Sequence, residues 1–170
     1  MNDESYKHIL SIMVDNEPGV LARVVGLFSG RGYNIESLSV SEVDSDKFLS
    51  RVTIVTSGSK IVIDQIKAQL KKLIPVRNLV DLTELESFIG KELILIKLNV
   101  KNKSTLSVCK IVEKFGGQIL IDNGVEVIIQ FTGTPVEISK LIKQLRPLDI
   151  IEQTRSGLVS MALGMEYIKK

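Results

Sequence analysis

One cysteine, one histidine and no tryptophan occur in 170 residues. The single cysteine, Cys109, excludes an intrachain disulfide and any CxxC metal or redox motif. The single histidine, His8, excludes an HExxH zinc site. Aromatic residues are 5% of the chain, too few for a sheet that stacks bases. Charge of one sign is also lacking. Lys+Arg is 22 and Asp+Glu is 20, so the net charge of +2 argues against nucleic-acid binding by phosphate neutralisation. Apolar runs reach only about four residues, against the roughly 20 that a membrane helix needs. The start, Met1 to Ser5, is acidic with no apolar run behind it, so no signal peptide is expected and the expected compartment is the cytoplasm. With the usual nucleophile and metal kits nearly absent, no catalytic residue is expected, and nothing predicts a bound metal.

What is present is a foldable chain, 44% hydrophobic and 25% charged, long enough for one ordinary domain or two small ones. Residues 7–14 read as an apolar strand. Asp15-Asn16-Glu17-Pro18-Gly19 then reads as a turn and helix start, with Asn and Asp able to cap and Pro suited to a first turn. Val20, Leu21, Val24, Val25 and Phe28 form one helical face, and Gly30 and Gly32 supply a left-handed stop. Strands are predicted from Tyr33 to Val43 and from Phe48 to Thr56, a helix over about 60–72, and a strand from Ile74 to Leu82.

The same order recurs from Lys91, about 84 residues after Lys7. It comprises a strand from Lys91 to Val100, a helix capped by Ser104 and running to about Phe115, and strands 118–121 and 125–131. A helix from Thr134 to Leu145 and a strand from Leu148 to Thr154 complete it. Asp122-Asn123-Gly124 predicts a type I′ hairpin turn. Two βαββαβ units give an α+β fold, two ferredoxin-like domains in tandem, with bounds 1–83 and 84–170 and a linker at about 83–90. Helices would cover one face of each antiparallel sheet. The other face, apolar and open, predicts pairing with a further copy or domain.

Five features invite a chemical reading. A strand feeding a helix through Gly19 turns free amides toward the gap, which suits a carboxylate, and Asn16 can donate or accept. The bland reading is a capped helix start. Gly30-Arg31-Gly32 lacks the third glycine of a dinucleotide fingerprint and follows a helix instead of a strand. Asn34 is polar at a strand entrance, where it would face a ligand or an interface. His8 has no orienting carboxylate or nucleophile nearby in sequence, and Cys109 reads as a buried, inert thiol.

His8 to Leu21 resembles the opening of an ACT domain, a small-molecule-sensing ferredoxin-like module. Val24-Val25-Gly26-Leu27-Phe28, Arg31 to Leu38, Leu49 to Ile54 and Arg155-Ser156-Gly157-Leu158-Val159 together resemble the small, regulatory subunit of acetolactate synthase over about residues 6–165. That resemblance implies a non-catalytic chain in branched-chain amino-acid biosynthesis. It would form a homodimer, bind and activate a larger catalytic subunit, and confer feedback inhibition by valine or another branched-chain amino acid. Thiamine diphosphate, Mg and FAD would belong to the catalytic partner, and none to this chain. The effector would lie at a pair interface, against Asn16, Glu17, Pro18, Gly19, Val20 and Leu21 of one copy and Asn34 and Ile35 of the other. The alternative is a free-standing ACT amino-acid sensor.

Overall fold

A computed structural model describes residues 6–101 and 105–164. Among them the elements run β1 (Tyr6–Asp15), α1 (Val20–Ser29), β2 (Ser37–Asp44), β3 (Leu49–Gly58), α2 (Lys60–Leu70), β4 (Val76–Asp81) and a 3-10 turn (Leu82–Glu84). They continue with β5 (Phe88–Asn99), α3 (Leu106–Phe115), β6 (Gln118–Asp122), β7 (Glu126–Gly133), α4 (Pro135–Leu145), a second 3-10 turn (Arg146–Leu148), β8 (Ile150–Arg155) and β9 (Val159–Ala162). The strand orders are β2-β3-β1-β4 and β6-β7-β5-β8, with the described pairs antiparallel, so the ferredoxin-like order occurs twice. The chain divides into two compact units at Gly90–Lys91 and again at Gly157–Leu158. The second division returns β9 to the first unit, where it pairs with β5, whereas the sequence expectation carried the second domain to 170.

Period-2 alternation builds the first unit's core. Leu10, Ile12 and Val14 on β1, with Val52 and Ile54 on β3, face Val24 and Phe28 of α1 and Ile63, Ile66 and Leu70 of α2. Each such side chain contributes about 1.5–3 kcal/mol on burial. The opposite face is closed over in part, not left open. Ile9 and Val55 are buried with Leu82 of the 3-10 turn and with Leu158, beside Phe88 and Ala162. The second unit's core repeats the plan with Ile94, Ile96 and Leu98 of β5 against Val108, Val112, Ile138, Leu141 and Leu145.

Local chemistry corrects several expectations. Helix α1 starts at Val20 with Gly19 as its N-cap and no side-chain cap, so Asp15, Asn16 and Pro18 lie before the helix. Gly30 ends α1 in a right-handed conformation (φ −66°), and the left-handed glycine is Gly32 (φ +70°). Strand β2 starts at Ser37 instead of Tyr33, and Tyr33 turns its ring edge-on to Phe28, 6.2 Å between centroids. Gly124 is left-handed but Asn123 is not, so the β6–β7 turn is not type I′. Its Asn123 side chain accepts from the Val125 and Glu126 amides instead. Cys109 is half-buried. The Ser104 cap lies outside the described residues.

Helix α4 carries a full capping box: Thr134 Oγ1 accepts from the Glu137 amide (3.2 Å), and Glu137 Oε2 from the Thr134 amide (2.6 Å). The bonds from Thr134, then Lys91, lower the Glu137 carboxyl to about 2. A carboxyl lowered by folding stabilises fully above its unfolded value, near 4.5, and loses that contribution as pH falls through about 2. Glu137→Ala is therefore expected to lower the melting temperature at pH 6, with the gap to wild type closing toward pH 2. A gap that stays constant across that range would contradict the capping role.

Candidate functional site

The β1–α1 connection is pinned at its base. Asp15 accepts from Arg77 Nε of β4 (2.6 Å), and its amide donates to the Pro75 carbonyl (2.9 Å). The Asn16 amide donates to the Phe48 carbonyl at 2.6 Å, tying the loop to the β2–β3 turn. Asn16, Glu17, Pro18 and Gly19 are all exposed. Gly19 has φ +83°, and a Cβ built on it would meet nothing within 4 Å. Conformation, not space, calls for glycine here.

The Val20 amide donates back to the Glu17 carbonyl (3.3 Å), and no side chain caps the helix. The positive end of α1 is thus left to solvent at an exposed loop, an arrangement that accepts a small anion. The Val20 side chain is buried in the core, so only its backbone is available to a ligand, while Leu21 is partly exposed.

Asn34 and Ile35 sit just before β2. Asn34 is exposed, and its backbone carbonyl accepts from Thr56 Oγ1 at 2.8 Å. Ile35 is half-buried against the first core. Glu36 takes Lys7 Nζ at 2.7 Å and the Ser57 hydroxyl, which hold its carboxyl below the usual range, Lys7 most strongly. The negative charge nearest Asn34 in sequence is therefore already matched.

Within one chain the two groups stay apart. Asp15 and Asp44 both pair with Leu49, whereas Ser37 pairs with Val55. The β1–α1 loop therefore lies at one end of the sheet and Asn34–Ile35 at the other. The separation is six steps along β3, roughly 20 Å at strand rise. Strand β2 between them is a sheet edge carrying no Lys or Pro, with Val40 45% and Val43 41% exposed. Such an edge is a template for strand pairing. A second copy adding its β2 antiparallel would set the start of one β2 beside the end of the other. That would place Asn34 of each copy near the β1–α1 loop of its mate.

His8 does have a carboxylate, one that sequence proximity could not reveal. Its Nδ1 is 2.7 Å from Asp81 Oδ2 and 3.1 Å from Thr83 Oγ1, and the Thr83 hydroxyl donates to Asp81 Oδ1 at 2.5 Å. The ring meets both partners through one nitrogen. A relay needs the carboxylate on one nitrogen and the nucleophile on the other. The cluster therefore ties β1 to β4 and the following turn. The available signal was Asp81 standing polar between Leu79-Val80 and Leu82. No group of three or more His, Cys, Asp or Glu able to hold a metal occurs among the described residues. No helix among them is long and apolar enough to cross a membrane.

Comparison with known proteins covers both units. Residues 10–78 match the family model for the AHAS small subunit-like ACT domain, and residues 91–164 match that for the small subunit of acetolactate synthase. The acetolactate synthase small subunit of Buchnera aphidicola (Schizaphis graminum) is 41% identical over 159 residues, covering 93% of this chain and 99% of the relative. The isozyme 3 small subunit of Escherichia coli K12 is 38% identical, covering 96% and 99%. The crystal structure of the Thermotoga maritima small subunit superposes with a TM-score of 0.84 at 32% identity, covering 92% and 97%.

Proposed function

We infer the role of this chain from one premise: it belongs to the acetolactate synthase small-subunit family. We propose that it is a regulatory subunit that binds the catalytic large subunit in the cytoplasm, raises its activity and makes it inhibitable by valine or a related branched-chain amino acid. The thiamine-dependent chemistry belongs to the partner in this reading.

Two copies pair along β2. The effector lies between Asn16–Leu21 of one copy and Asn34–Ile35 of the other. Its carboxylate meets the α1 amides, its ammonium meets the Asn16 or Asn34 side chain, and its apolar group is buried in the pair. The observation that carries this reading is the split site: two ligand-suited groups at opposite ends of a sheet, with β2 as the outer strand between them. Because both copies build the site, effector binding and pairing are linked. The catalytic partner responds only through a difference in effector affinity between two subunit arrangements.

Reconstitution with the catalytic subunit tests this, using wild type and Val40→Lys. Val40 is at the middle of β2, so in a pairing centred on that strand the new lysine would oppose its own copy. Wild type is expected to raise activity and to make it fall with valine. Val40→Lys is expected to run as a monomer by light scattering. Loss of the shared pocket, about 1.5–3 kcal/mol of valine burial, weakens valine binding tenfold or more. A paired, fully sensitive Val40→Lys would refute edge pairing. Valine binding by the wild-type chain without any effect on the catalytic subunit would instead support a free-standing sensor.

A further inference from the structure

We propose that Thr56 is a positioning residue for the effector site: its buried hydroxyl fixes the Asn34 peptide, and so the point from which the Asn34 side chain reaches the effector's ammonium. The proposal rests on the effector reading above and names Asn34 as the ammonium contact.

Thr56 stands where an apolar residue would serve. On β3 it follows Val52 and Ile54 at period-2 spacing, and both of those belong to the first unit's core. Valine has the same branched shape and suits a strand as well. Thr56 is 0% exposed, and a hydroxyl enclosed in this way costs stability unless it is bonded. Its bond goes to the Asn34 backbone carbonyl at 2.8 Å, across 22 residues of chain. Asn34 is exposed, so solvent satisfies that carbonyl without help. The bond therefore does less to satisfy Asn34 than to fix it.

Asn34 needs fixing because residues 30–36 lie between α1 and β2, outside any strand ladder. Before Asn34, the Tyr33 amide donates to the Phe28 carbonyl at 2.9 Å. After it, the Glu36 amide donates to the Val55 carbonyl at 2.8 Å, and the Glu36 carboxylate accepts from the Ser57 hydroxyl. Val55, Thr56 and Ser57 thus hold the segment from Asn34 to Glu36 as three successive residues of one strand. That strand is paired on both sides, by β2 and β1, so the support is firm. Glu36 is further engaged by Lys7, which leaves the Asn34 side-chain amide as the group this segment offers to an ammonium. A contact group held in place before the ligand arrives loses less freedom on binding, and affinity rises accordingly.

The test uses the full chain, titrated with valine by calorimetry and assayed for valine inhibition in the reconstituted holoenzyme. The variants are Thr56→Val, Thr56→Ser, Asn34→Ala and the double variant of Asn34→Ala with Thr56→Val. Thr56→Ala repeats the loss of the hydroxyl without placing a methyl group against the Asn34 carbonyl. Backbone order parameters at Asn34 and Ile35 are read by NMR relaxation.

Thr56→Val and Thr56→Ala are expected to weaken valine binding about five- to tenfold and to lower the order parameters of Asn34 and Ile35. Thr56→Ser, which keeps the donor, is expected to bind within about twofold of wild type. On top of Asn34→Ala, Thr56→Val is expected to cost at most about twofold more, because the side chain it positions is already gone. Wild-type affinity in both Thr56→Val and Thr56→Ala, a Thr56→Ser as weak as either, or the full loss repeated on top of Asn34→Ala would overturn the positioning role. A wild-type chain that neither binds valine nor confers inhibition would refute the effector reading and this role with it. Normal wild-type binding with unaffected Thr56 variants would refute this role alone.

Discussion

Gly19→Asp is expected to yield a chain that folds and still activates the catalytic subunit but no longer responds to valine. The position combines a left-handed φ of +83° with open space around an added Cβ. Asp is among the residues that tolerate that conformation, so the fold loses only about 1 kcal/mol. The new carboxylate takes the place proposed for the effector's own, at the uncapped start of α1. Two like charges about 4 Å apart repel by roughly 1–4 kcal/mol between bulk water and a partly exposed site. The Asp also satisfies the helix end that the ligand would have used. Together these predict at least a tenfold loss of valine affinity. Gly19→Asn separates the causes, because it has similar shape and backbone cost without the charge. It should keep a measurable part of the response. Calorimetric titration of each chain with valine reads the effect. Gly19→Asp binding valine within threefold of wild type would show that these amides do not hold the effector carboxylate.

The fold was readable where one face of one element decides the outcome. Leu10, Ile12 and Val14 alternate, and Ile63, Ile66 and Leu70 recur at helical spacing, because each set meets a core that its own period defines. The loop Asn16–Leu21 was readable for the same reason: a strand, a glycine and a helix in immediate succession. What stayed hidden depends on partners distant in sequence. His8 gives no sign of Asp81, which lies 73 residues on. Ser37 gives no sign of Leu158, which lies 121 residues on. Strand β9 is four residues long and pairs only because the chain returns to β5 after Gly157. The capping of α1 was misjudged for a different reason. Asp15 and Asn16 are good cap residues by type, but strand pairing holds Asp15 in β1, and the turn spends Asn16 to Gly19 before the helix begins. The separation of Asn34 from the β1–α1 loop likewise follows from register, which a sequence does not display.

Asp81→Ala is expected to cost about 3 kcal/mol of stability, the largest effect of a single polar substitution in the first unit. The Asp81 side chain is fully buried, and its oxygens engage His8, the Thr83 amide (3.1 Å) and the Thr83 hydroxyl. Alanine removes, at a buried position, the acceptor that these groups share. His8→Ala should cost less, about 1 kcal/mol, because that side chain is partly exposed and Asp81 keeps both Thr83 donors. The difference distinguishes a network centred on the carboxylate from a simple pair, for which the two losses would be similar. Urea titrations followed by circular dichroism at pH 7, completed by the double variant, measure both the losses and the coupling. An Asp81→Ala loss no larger than that of His8→Ala would remove Asp81 from the centre. The consequence extends past stability. Asp81 caps the turn that delivers Leu82 into the cluster with Ile9, Val55 and Leu158. A chain that loses Asp81 loosens the support under Leu158.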